Sequence, residues 1–212
     1  MEKRIRPALM RCLYFDTVTF LKAIWQYLLV IAFFIIFWHM TNTVSPLFAA
    51  MLFGMGISMA YALQRYMLYY KQMVGFSLTR RSFLLGGLLV KPVYMLFCVA
   101  LTLVGSLIDQ AHPLGWMLLI AAMGGMLSAS YGELAGAMIL RWNRIGFVLY
   151  MVMFVSFFMV ISGVWGRLLF QSMITELNYA SVALTTSIVS LIASPLLHVF
   201  AWLLLRGTEV RS

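Results

Sequence analysis

An amine, a carboxylate and an imidazole stand in stretches of this sequence that are otherwise apolar. Lys91 lies in "GGLLVKPVYMLF", Glu133 in "AAMGGMLSASYGELAGAMIL" and His198 in "IASPLLHVFAWLLL". Together such groups could pair charges or form an ion-coupled site for passage. A charge in hydrocarbon costs at least about 2–3 kcal/mol, so each must find a partner or face a cavity. Lys91 and Glu133 are therefore expected either to form a structural pair or to serve substrate passage or gating. A lysine stem is also long enough for Lys91 to reach back to the membrane surface. His198 alone points to a hydrogen-bonded polar residue rather than a ligand. Other chemistry is missing from the sequence. Cys12 and Cys98 match neither a disulfide framework nor a metal-ligand spacing. No glycine-lysine phosphate loop, histidine-glutamate metal helix or nucleophile elbow occurs, so no catalytic site, cofactor or metal is expected in this chain. The dispersed methionines suit adaptable packing better than metal ligation.

These residues need a frame, and composition says which. Of 212 residues, 64% are hydrophobic and 10% charged, far from the roughly half apolar and quarter charged of soluble domains. An all-α integral membrane protein follows. Apolar runs of the ~20 residues needed to cross a bilayer fall at 23–40, 46–66, 83–107, 116–140, 145–165 and 181–205, six transmembrane helices in one domain, 1–212. The tetrad "RWNR" at 141–144 separates the fourth from the fifth as a turn at a membrane surface. The +9 formal charge is placed asymmetrically. Lys3, Arg4, Arg6, Arg11, Lys22, Arg65, Lys71, Arg80, Arg81, Arg141, Arg144, Arg206 and Arg211 share one side, with Arg167 opposite. The positive-inside rule makes that side cytoplasmic and puts both termini there. Topology accounts for the charge, so no nucleic-acid partner is expected. Trp25, Trp38, Trp116, Trp142, Trp165 and Trp202 fall near span ends, where an amphipathic ring prefers the interface.

Three segments lie outside the spans. In residues 1–22, Ile5, Leu9, Leu13 and Phe20 share a helical face with Arg4, Arg11 and Lys22 nearly opposite, which predicts an interfacial helix with its apolar face toward acyl chains. Asp16 beside that face is a flaw in the pattern. At 64–82, "QRYMLYYKQMVGFSLTRRS", span 2 runs on, Gly75 breaks the helix, and Thr79 is a good N-cap for one starting at Arg80. At 166–180, "GRLLFQSMITELNYA" is too apolar for a loop and too short to span, which suggests a re-entrant or interfacial helix.

Helical rise sets the depth of the trio. Lys91 is eight residues into a span that starts on the basic side, and Glu133 and His198 each precede a span end on that side by seven. At 1.5 Å per residue all three lie roughly 10–12 Å deep. Gly124, Ser128, Gly132 and Gly136 recur every four residues along span 4, a stripe that lets another helix approach closely. Its partner is either a helix of the same chain or a second subunit.

This plan resembles the ABC-2 type permeases, the membrane subunits of a class of bacterial ABC exporters. Small members of that family carry, before span 3, a stretch similar to "GFSLTRRSF", here with Gly75, Thr79, Arg80, Arg81 and Phe83 and two extra residues after the glycine. The resemblance implies a cytoplasmic coupling helix within 67–82, with Lys71 and those five residues meeting a separate ATPase subunit. It further implies an elbow helix at 1–22 and a re-entrant segment at 166–180. A second permease subunit, identical or paralogous, would complete the pathway, with ATP and Mg bound by the partner ATPase. The expected function is export of an amphipathic or apolar substrate, a peptide, antibiotic or lipid-like molecule, across the cytoplasmic membrane of a bacterium. Two other readings stand beside it: an ATP-independent carrier or channel built on Lys91, Glu133 and His198, and a non-transporting membrane regulatory subunit.

Overall fold

The computed structural model describes residues 10, 13–24, 45–70, 80–108, 113–155 and 179–206. They form six helices: α1 (13–24), α2 (Pro46–Gln64), α3 (Arg80–Ile108), α4 (Leu114–Trp142), α5 (Arg144–Val155) and α6 (Tyr179–Arg206). Helices α2, α3, α4 and α6 are long and apolar enough to cross a membrane. They correspond to the spans expected at 46–66, 83–107, 116–140 and 181–205. Helix α5 is the start of the span placed at 145–165, and α1 covers the end of the amino-terminal segment and the first two residues of span 1. The rest of the span at 23–40, the end of the fifth span and nearly all of 166–180 lie outside the described residues.

The surface says what surrounds the bundle. Leu96, Leu103 and Leu107 on α3 and Leu184, Ile188, Leu191, Ile192 and Leu196 on α6 are all exposed. A continuous apolar face of this kind is not stable in water and suits acyl chains. The chain is a multi-pass membrane protein. Trp142 and Trp202 are partly exposed near helix ends, each with an arginine over its ring: Arg141 at 5.6 Å and Arg206 at 5.9 Å.

Alternating chain direction brings the ends of α2, α4 and α6 and the start of α3 to one basic end of the bundle. The end of α2 is not a plain α-helix. Residues Arg65–Tyr69 form a π-helical turn, a widened geometry that often marks functional positions. It turns Arg65, Tyr66 and Tyr70 inward, all of them buried. Span 2 does continue past Gln64, but its described extension is packed into the bundle. At the other stem, α3 is described from Arg80 and runs without a break to Ile108. Arg80–Ser82 are continuous with the rest of α3. Between α4 and α5 the chain reverses at Asn143, whose φ of 50° and ψ of −114° lie outside the left-handed helical region, in a conformation that glycine adopts most readily. The turn is closed by Asn143 N–H donating to the Ile139 carbonyl at 2.8 Å.

The small-residue stripe of α4 lies against α2 of the same chain. A Cβ at Gly132 would strike the Met59 carbonyl oxygen, one at Gly124 the Met55 side chain, and one at Gly136 would sit 2.6 Å from the Tyr66 Cβ. Ser128 is buried and donates to the Gly125 carbonyl at 3.0 Å. The stripe is thus filled from within the subunit. Two apolar clusters cap the bundle lengthwise. One, at the basic end, holds Tyr66, Tyr70, Phe83, Leu134, Met138 and Leu205; the other holds Leu47, Phe48, Met51, Met117 and Ile120. Polar residues occupy the level between them.

Candidate functional site

Lys91, Glu133 and His198 converge. Helix α3 delivers Lys91, α4 delivers Ser130 and Glu133 three residues apart on one face, and α6 delivers Ser194 and His198 four apart on one face. The Lys91 ammonium donates to Ser130 Oγ at 2.7 Å and Ser194 Oγ at 3.4 Å and is paired with Glu133 Oε2 at 3.3 Å. It is turned into the bundle, not back to the surface. The same carboxylate oxygen lies 2.9 Å from His198 Nδ1. An ionised carboxylate only accepts, so Nδ1 carries the proton and donates. Ser130 donates to the Met126 carbonyl at 2.8 Å. In its close contact with Ser194 the donor is therefore Ser194.

Prolines follow two of these residues. Pro92 comes after Lys91 and Pro195 after Ser194, both inside helices. Each removes one backbone N–H and so one helical hydrogen bond. Side-chain contacts between α3, α4 and α6 thus hold the helices together where two of them lack a backbone bond.

A second ion pair lies closer to the basic end. Asp16 on α1 is buried and accepts from Arg65 Nε at 2.8 Å. Arg65 Nη2 donates to the Phe83 carbonyl at 2.7 Å, and its guanidinium stacks 4.0 Å over the Phe83 ring. Tyr61 adds a hydrogen bond to the Asp16 carbonyl at 3.2 Å. Phe20, one turn along α1, inserts edge-on among Tyr61, Tyr94 and Phe97 at 4.9, 4.8 and 5.3 Å. The face carrying Leu13, Asp16 and Phe20 therefore meets protein instead of acyl chains. Met10, Tyr14, Phe15 and Leu21 are the exposed large apolar residues of this segment. Asp16, a flaw in a lipid-facing stripe, is the anchor of a protein-facing one.

Gly87 joins the two pairs. A Cβ there would lie 2.8 Å from Arg65 Nη1 and 2.8 Å from Glu133 Oε1, so those two atoms are within about 6 Å of each other. Asp16 and Glu133 are the only acids among the described residues. Both are buried and both belong to this single network, which runs Asp16, Arg65, Glu133, Lys91 and His198 across α1, α2, α4, α3 and α6.

No family model, curated protein or solved structure matches the chain. The site must be read from its own geometry.

The residues assigned to ATPase coupling fare unevenly. Lys71, Gly75 and Thr79 lie outside the described residues. Arg80 and Arg81 are the first described residues of α3. Phe83 is fully buried against Tyr66 and Tyr70, with ring centroids 5.1 Å away in each case. It anchors the base of the connection and presents no surface to a partner. The sequence reading missed Arg65, Ser130, Ser194 and Gly87 as members of a site. All but Gly87 carried a signal: an acid spoiling the α1 face needs a cation, and serines three or four residues from Glu133 and His198 share their helix faces.

Proposed function

We propose that this chain is the permease subunit of an ATP-driven exporter of the ABC-2 type. With a second permease, identical or paralogous, it would form a path for an amphipathic or apolar substrate such as a peptide, an antibiotic or a lipid-like molecule. A separate ATPase subunit binding ATP and Mg would drive it, in the cytoplasmic membrane of a bacterium with both termini inside. The observation that carries this reading is the clamp across the 71–79 connection. Arg65 at the end of α2 is bonded to Phe83 near the start of α3. Buried charge and aromatic contact tie the end of α2 to the start of α3, so the two helices would move as one body. A lever pushed from outside the membrane needs that stiffness, whereas a loose tether would dissipate the push. Asp16 fastens α1 to the same point, and the basic side of the sequence puts Lys71, Arg80 and Arg81 where an ATPase would dock. Replacing Arg80→Glu together with Arg81→Glu tests the reading. The double variant should insert and purify normally yet lose a co-expressed ATPase, and normal co-purification would refute the docking role.

The convergence of Lys91, Glu133 and His198 favours a second reading, an ATP-independent carrier or channel. Yet they are only 4%, 1% and 7% exposed, and Lys91 is bonded to two serines and paired with Glu133, which suits a knot holding helices together better than a path for ions. Gradient-driven uptake by the chain alone in vesicles would support the carrier instead.

A further inference from the structure

Glu133 is shared between two cationic neighbourhoods, and Gly87 is the gap between them. Its Oε2 atom faces Lys91 and His198. Its Oε1 atom faces Arg65 Nη1 across the position where any other residue would carry a Cβ. Arg65 meanwhile holds the Asp16 carboxylate of α1. If α1 lifts away, Arg65 loses that carboxylate while still buried, and Glu133 is the next acid in reach among the described residues. We propose that Glu133 acts as an exchangeable counter-ion. Docked α1 lets Glu133 serve Lys91 and His198; undocked α1 draws it toward Arg65 through the Gly87 gap. The position of a surface helix is thereby coupled to the contacts that hold α6 against α3 and α4.

Three physical points carry the proposal. The described network contains two acids, Asp16 and Glu133, and two basic side chains, Arg65 and Lys91, so removing Asp16 leaves both bases sharing one carboxylate. Leaving a buried charge uncompensated is among the most costly events in a protein interior. The exchange also needs only a short displacement, since the two atoms are already within about 6 Å and a glutamate rotamer change covers such a distance. Finally, α3 and α6 each carry a proline beside the Lys91 and Ser194 contacts, so their backbones resist a local shift less than an unbroken helix would. The coupling stands on this geometry alone and does not depend on what the chain transports.

The test reads α1 docking from a residue that touches none of the altered groups. Ala23, on the packed face of α1, is replaced by cysteine in a Cys12→Ser background, and its maleimide labelling rate is measured for the purified full chain in nanodiscs. Lys91→Met frees Glu133 for Arg65 and should speed labelling by about threefold to tenfold, the range of couplings between residues of one network. Adding Glu133→Gln removes the exchange partner and should return the rate to the parent value or below. Gly87→Ala meets only the flexible ends of Arg65 and Glu133, so it should fold, and by wedging them apart it should blunt the Lys91→Met effect. If Lys91→Met does not purify as a monodisperse protein, His198→Phe also frees Glu133 Oε2 and should act in the same direction. Labelling unchanged by whichever of these two variants purifies, or acceleration that Glu133→Gln does not reverse, overturns the proposal.

Discussion

Replacing Glu133→Gln removes one charge from the network but keeps an oxygen that can accept from His198 or Lys91. Breaking a buried ion pair by removing one partner typically costs about 3–5 kcal/mol. Here Lys91 keeps Ser130 and Ser194 as acceptors, so the low end applies, about 3 kcal/mol. For a domain of this size each kcal/mol shifts the midpoint by about 2–4 °C, so a fall of roughly 6–12 °C is expected. Thermal unfolding in detergent, followed by the loss of the monodisperse peak in size exclusion, measures it. Lys91→Met alone should also destabilise, because it strands Glu133. The double variant strands neither and should be more stable than the sum of the single losses implies, by about 1–3 kcal/mol. Single effects that add to within about 0.5 kcal/mol would show that the two residues do not interact, and the description of the site would fail.

Other expectations follow from particular contacts. Asp16→Asn should lower the midpoint and raise protease sensitivity near residues 13–24, while Lys22→Gln, an exposed change on the same helix, should do neither. Gly132→Val should abolish stable expression, since its Cβ would strike the Met59 backbone. Gly56→Ala, which meets nothing within 4 Å, should leave the midpoint unchanged or raise it by the roughly 1 kcal/mol alanine gains over glycine in a helix. Asn143→Gly should be neutral or stabilising at its positive φ, and Asn143→Val should destabilise by about 1–3 kcal/mol.

How much of this was legible in the sequence differed by the range of the interaction. Helices α2, α3, α4 and α6 announce themselves as apolar runs, because a membrane helix satisfies its own backbone and needs only length and apolarity. The common level of Lys91, Glu133 and His198 followed from helical rise once the span ends were placed. The direction of α1 did not follow. Its Asp16 pairs with a residue 49 positions away, and a periodic pattern tells faces apart without saying whether lipid or protein covers them. The stripe on α4 showed close approach but not by which helix. Phe83 looked like part of a surface motif because its neighbours are polar; only tertiary packing places it under Arg65. Gly87 carries no signal at all, since its role depends on two side chains from other helices meeting at its missing Cβ.

Affinity purification of the chain from its native membrane, followed by identification of what accompanies it, tests the central claim most directly. The expected result is a nucleotide-binding ATPase in stoichiometric amount together with a second permease chain, the ATPase being lost from the Arg80→Glu, Arg81→Glu variant. Recovery of the chain without any ATPase, active in gradient-driven transport on its own, would contradict it.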